Sequence, residues 1–128
     1  MGAGWYQKAA ERGDALGQFN LAMAYIEGRG FNQNVTEGVK WMRLAAEKNE
    51  PAAQFWLGRA YSAGEKNGVV RDYVEAFKWL TLAGLLESTW QKQAVTARDA
   101  LAKKLTPAQL AEGQKRASDL IKTFEQHK

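Results

Sequence analysis

The sequence predicts an all-α protein: a right-handed α-α superhelix of antiparallel helix pairs, about seven helices in a single domain. Three observations predict it. Trp5, Trp41 and Trp79 each open nearly the same phrase, 36 and 38 residues apart, and a fixed period of that length marks a helical repeat array. The copies also agree in register. Gln18, Leu21, Tyr25 and Gly28 match Gln54, Leu57, Tyr61 and Gly64 at an offset of 36. Gly30, Asn34, Glu37, Val39 and Trp41 match Gly68, Asp72, Glu75, Phe77 and Trp79 at 38. The two extra residues fall between Gly64 and Gly68, where a loop tolerates insertion and a helix does not. Finally, the 128 residues include only two prolines, are 45% hydrophobic and are rich in Ala, Leu, Gln, Glu and Lys, a composition that favours packed helix over disorder.

Caps place each helix. The first spans roughly 4–12 and ends at Gly13. Asp14 caps the second, 14–27. Asn34-x-x-Glu37 reads as a capping box for 35–48. Pro51 suits the first turn of 51–63, where its missing N–H costs nothing. Asp72-x-x-Glu75 repeats the box for 73–86. Ser88-x-x-Gln91 starts 89–104, and Thr106-Pro107-Ala108-Gln109 starts 107–126. The loops at 28–34 and 64–72 are Gly-rich. The remaining links are two to four residues long, so consecutive helices are expected to fold back on each other.

Repeated residues have a packing role. Gly17, Leu21, Tyr25 and Gly28 fall on one helical stripe, as do Ala53, Leu57, Tyr61 and Gly64. A tryptophan buries on the order of 200 Å², so the three Trp at repeat spacing are read as core. The units are expected to run over 5–40 and 41–78, with a partial third repeat and C-terminal capping helices over 79–128.

These residues resemble the Sel-one-like repeat family, relatives of the tetratricopeptide repeats. The resemblance is carried by Trp5, Ala9, Ala10, Gly13, Gln18, Leu21, Tyr25, Gly28, Gly30, Glu37 and Trp41. It recurs as Trp41, Ala45, Ala46, Ala53, Gln54, Leu57, Gly58, Tyr61, Gly64, Glu75, Ala76 and Trp79, and covers about 1–87. Departures are Gly17, Ala22, Gly38 and Asn49, where the family has Ala, Gly, Ala and Gly. Gly38 inside a helix is expected to cost about 1 kcal/mol relative to Ala. Asn49 tolerates the left-handed conformation of a helix stop. The first unit starts midway, as expected of a fragment of a longer array. The resemblance implies adaptor work: a partner protein or peptide held on a concave face, in a bacterial setting.

No catalytic, cofactor or metal constellation is visible. The chain lacks cysteine and has one histidine, His127, which excludes thiol chemistry and disulfides and disfavours a His-dependent triad. No apolar run is long enough to span a membrane, no signal peptide is visible, and the compartment is left open. A net charge of +4 is mild and interleaved. The basic tail (Lys103, Lys104, Lys115, Arg116, Lys122) offers polyanion binding as an alternative, but Asp99, Glu112, Asp119 and Glu125 interrupt it. An accessory role beside a cell-envelope enzyme is a further alternative.

Candidate partner-binding residues are those that differ between copies outside the packing stripe: Asn20, Met23 and Glu27 in the first, Trp56 and Arg59 in the second. Trp and Arg one turn apart suit a recognition surface. Trp56 reads equally well as packing under the C-terminal helices, and Trp90 more readily so. The expected groove is lined by 14–27, 51–63 and 89–104. An exposed terminal repeat also leaves self-association open.

Overall fold

A computed structural model describes residues 2–64 and 68–126, with side chains from residue 7 onward. The described residues form seven α-helices and no strand: α1 (Gly2–Glu11), α2 (Ala15–Glu27), α3 (Val35–Glu47), α4 (Pro51–Ala63), α5 (Tyr73–Leu85), α6 (Gln91–Ala102) and α7 (Pro107–Gln126). The loop insertion and His127 lie outside the described residues, as does the side chain of Trp5.

Helix starts follow the expected caps, with one systematic difference. Asp14 accepts from the amides of Leu16 and Gly17, and Asn34 from that of Glu37. Asp72 accepts from Val74 and Glu75. Yet neither Glu37 nor Glu75 reaches back to complete its box. The cap residue's own N–H is already spent: Asn34 donates to the Tyr25 carbonyl and Asp72 to the Tyr61 carbonyl, at 2.8 and 3.0 Å. Each bond satisfies an orphan carbonyl at the end of the preceding helix and ties the long loop shut. The glutamates turn to cations instead, Glu37 to Lys40 and Glu75 to Lys78 and Arg116. The box at α7 is complete. Thr106 N–H donates to Gln109 Oε1 and Gln109 N–H to Thr106 Oγ1.

α6 starts two residues later than its Ser-x-x-Gln pattern suggests. Ser88 Oγ accepts from the amide of Trp90 and closes a tight turn, while Gln91 sends its amide to the Gly84 carbonyl. The last link also departs from expectation. α7 seats on α5 instead of pairing alongside α6, whereas α2 pairs with α3, α4 with α5 and α5 with α6.

The core is built by the repeated positions. Leu21, Met42, Leu57, Leu80 and Leu82 are fully buried, with Ala22, Ala45, Ala46, Ala53, Ala76 and Ala83 where backbones approach. Trp79 is buried, and Trp41 is half-buried against the same cluster. Among the described residues, Gln18 and Gln54 are the buried polar ones. Each donates to a carbonyl eight residues upstream, Ala10 or Ala46, in the last turn of the helix before. Asn49 has φ 69°, the left-handed stop expected of it, and its side-chain oxygen accepts a second bond from Gln54.

Gly38 corrects a reading from helix propensity alone. A methyl there would meet Ile26 Cγ1 at 2.5 Å and the Ala22 carbonyl oxygen at 2.9 Å. Ile26 could shift, but the Ala22 oxygen is backbone and cannot simply rotate away. In the second copy the corresponding pair is Gly58 and Ala76, so the methyl and the hydrogen have exchanged helices. Gly38→Ala gains about 1 kcal/mol of intrinsic helix preference but incurs an overpacking cost of about 1–3 kcal/mol. We expect a net loss, read as a lower midpoint in urea unfolding at unchanged slope.

Candidate functional site

The two sides of the stack differ in chemistry. Each of α2 and α4 carries one charged residue in thirteen: Glu27 on α2 and Arg59 on α4. The same length of α3 carries four: Glu37, Lys40, Arg43 and Glu47. α7 is charged to the same degree, with six such residues in twenty. Depletion of charge beside exposed aromatic, Met and Arg side chains is the composition of an interface centre.

On the charge-poor side, Leu16, Asn20, Met23 and Glu27 recur at helical spacing along α2. Their counterparts along α4 are Ala52, Trp56, Arg59 and Ala63. Asn20 is half-buried and Arg59 is exposed. Met23 and Trp56 are half-buried, each with part of its surface packed on the core. Glu27 is exposed and pairs with Arg29 at 2.8 Å. Arg59 lies over the ring of Phe55, its guanidinium carbon 5.7 Å from the centroid. Phe55 in turn stacks on Trp90 at the head of α6, with centroids 5.2 Å apart and planes at 23°. Arg59, Phe55 and Trp90 therefore form one aromatic–cation cluster linking α4 to α6. Such offset stacks add about 0.5–1.5 kcal/mol beyond their burial.

Sequence reading missed Phe55 and Leu16. Phe19 and Phe55 stand 36 residues apart, a repeat signal that marks packing and does not announce the stack with Trp90. Leu16, 53% exposed, stood out only once its accessibility was known.

The opposite side holds three open grooves. One of about 460 Å³ is lined by Thr36, Val39, Lys40, Arg43, Leu44 and Glu47 of α3, with Gly68. A second, of about 330 Å³, brings Glu47 together with Lys78, Trp79, Arg116 and Asp119. The third, of about 310 Å³, lies between Leu85 and Leu86 at the end of α5 and Ile121 and Phe124 of α7. Their ions are largely paired among themselves. Arg116 bridges Glu75 and Glu112 at 2.8 and 3.0 Å, and those hydrogen bonds hold its pKa above the usual guanidinium value. Lys115 pairs with Asp119 at 3.2 Å, and Lys104 lies over Tyr73. Of the basic tail, Lys115 and Arg116 are thus salt-bridged. No group of three or more potential metal ligands occurs among the described residues.

Tyr61 joins the two sides. Its ring is buried, and its hydroxyl accepts from Arg43 on α3. Burial pushes the phenol above its usual value; the Arg43 guanidinium opposes this and loses. A raised folded-state value favours the protonated form, so its stabilisation is complete below about pH 10 and is lost as pH rises through the folded value. Tyr61→Phe should therefore be slightly less stable than the parent near pH 7, by about 0.5–1.5 kcal/mol. Above pH 10 its melting temperature should fall less steeply.

Helix pairs stacked at a 36-to-38-residue period define a helical-repeat solenoid, a fold that works as a scaffold because each unit packs on its neighbours and leaves an extended surface. The Sel1 repeat model matches residues 1–14, 15–50 and 51–88, and the chain belongs to the Sel1 repeat family. The family frame starts each unit ten residues after the tryptophan, so α2–α3 and α4–α5 are its two full hairpins. Among solved structures, the chain is similar to c5321, a protective antigen present in uropathogenic Escherichia coli strains displaying an SLR fold. The match has 34% identity and a TM-score of 0.85 over 95% of this chain, and spans about a quarter (25%) of that one. It is also similar to a Sel1 repeat protein from Oxalobacter formigenes, with 28% identity, a TM-score of 0.57, and coverage of 89% and 95% of the two chains. No curated protein matches. Sel1 repeat proteins are in general non-catalytic helical scaffolds for protein interaction. No described helix is long and apolar enough to cross a membrane.

Proposed function

We propose that this chain is an adaptor that holds a partner protein against the side formed by α2, α4 and the head of α6. The observation that carries the reading is the contrast between faces. The α2/α4 side has almost no charge and presents Leu16, Asn20, Met23, Trp56 and Arg59 in register across two repeats. The α3/α5/α7 side carries most of the charge, much of it paired within the chain, and one apolar groove between the ends of α5 and α7. A surface with few charges gives up little solvation when a partner covers it. An extended segment or a helix of the partner fits a face of this kind. The polyanion reading gains no comparable support, because Lys115 and Arg116 already have carboxylate partners.

The test is affinity capture of the partner by the parent chain, by Trp56→Ala/Arg59→Ala, and by Leu16→Glu. Trp56 packs partly on the core, so the double variant is scored only with an intact melting transition. Leu16 is largely exposed, and its replacement should leave stability within about 0.5 kcal/mol. Both variants should weaken capture by at least tenfold, about 1.4 kcal/mol or more. Full capture by folded forms of both would remove the site.

A further inference from the structure

Arg59 stands apart from the other cations of the molecule in where it sits. It is the single charged residue of α4. None of its nitrogens has a hydrogen bond or ion pair among the described residues, and its one recorded partner is the Phe55 ring. The only charge on the neighbouring stripe, Glu27, is taken by Arg29. Arg29, Lys40, Lys78, Arg98, Lys115 and Arg116 have acids of this chain beside them, while Arg43 and Lys48 are turned to the Tyr61 hydroxyl and the Gly13 carbonyl. A guanidinium held near a ring face loses less freedom on pairing, and its N–H donors stay open to an acceptor. The ring beneath is itself fixed by its stack on Trp90, so the cation is held on a rigid support.

Resting on the adaptor reading above, we infer that the partner segment places an aspartate or glutamate side chain on Arg59, beside an apolar residue that covers Trp56. Charge complementarity selects the acid: a basic or neutral segment would leave the guanidinium desolvated and unpaired, which is unfavourable. Geometry sets the spacing. Trp56 and Arg59 are three residues apart, a rise of about 4.5 Å along the helix, and an extended chain advances about 3.3 Å per residue. The acid and its apolar neighbour are then one or two residues apart in the partner.

The experiment uses an array of ten-residue peptides with acetylated and amidated ends, each centred on Leu-Glu-Leu or Phe-Asp-Leu. Matched peptides carry Gln or Asn in place of the acid, and a second matched set has a free C-terminal carboxylate and no internal acid. The acidic peptides should bind the parent chain at least about tenfold more tightly than their amides, with affinity falling as salt is added. Arg59→Gln should abolish that preference, and Arg59→Lys should retain part of it. Equal binding of acidic and amide peptides, with loss of both in Leu16→Glu, would overturn the acid preference and leave the adaptor face intact. Binding confined to the free-carboxylate set would overturn the internal acid as the ligand. Binding that survives unchanged in both Arg59→Gln and Leu16→Glu would remove the inference and the adaptor face together.

Discussion

Gln54→Glu should destabilise the protein by about 3–5 kcal/mol at pH 7, the usual consequence of leaving an uncompensated charge in a core. Gln54 has no exposed surface. Its amide nitrogen donates to the Ala46 carbonyl at 3.2 Å and to Asn49 Oδ1 at 3.0 Å, and its own Oε1 has no partner among the described residues. A carboxylate there would face two acceptors with nothing to donate. The introduced group would therefore be driven to stay protonated, with a folded-state pKa above the usual glutamate value of about 4.3. A raised folded-state value means that the variant is closest to the parent below about pH 4. The gap widens as pH rises from the unfolded value of about 4.3 towards the folded value, and is constant above it. Urea unfolding at pH 4 and pH 7 checks this. An equal, small loss at both pH values would show that the side chain is not enclosed between α3 and α4.

Trp79→Ala should cost a similar amount, about 3–5 kcal/mol for loss of a large core aromatic. Trp79 is 4% exposed and borders the groove where α3, α5 and α7 meet. Against a total stability of about 5–15 kcal/mol, the loss lowers the melting temperature by roughly ten to twenty degrees. Trp56→Ala removes the same side chain from a half-buried site and should cost distinctly less. A calorimetric or circular-dichroism melt of the two variants side by side decides it. Equal losses would mean that Trp56 is core and that its place on a recognition surface is mistaken.

The repeated residues made the fold legible. Gln18 and Gln54, Leu21 and Leu57, Tyr25 and Tyr61 carry the period, and their burial or their backbone bonds explain why the same types recur. Cap chemistry placed most helix starts because it is local: Asp14, Asn34, Asp72 and Thr106 bond within three residues of themselves. What the caps could not reveal was competition from farther away. Glu75 leaves its own cap because Asp72 is engaged with Tyr61 and because Arg116 arrives from α7. Gly38 looked like a helix defect because propensity does not register a neighbouring backbone at 2.9 Å. The seating of α7 on α5 was hidden for the same reason, since a short link limits distance and does not choose the neighbour.

The candidate face was legible in part. Comparing unlike residues at like positions pointed to Asn20, Met23, Glu27, Trp56 and Arg59. The same comparison passed over Phe55, because Phe19 stands at the matching place and the pair looked like shared packing. Its stack with Trp90 joins residues 35 positions apart, in an irregular stretch where repeat spacing gives no guidance. Met23 was read as pointing outward and is packed partly on the core. Alternation along one helix does not show how much of a long flexible side chain folds back.

The most direct test of the central claim is photo-crosslinking with a benzoyl-phenylalanine introduced at one position at a time in the cells that make the protein. Asn20 and Ala63 report on the α2/α4 side; Lys40 and Ser118 report on α3 and α7. The adaptor account predicts that the same partner is trapped from Asn20 and Ala63 and from neither of the others. Trapping from Lys40 or Ser118 alone would place the partner on the ion-covered side and contradict it.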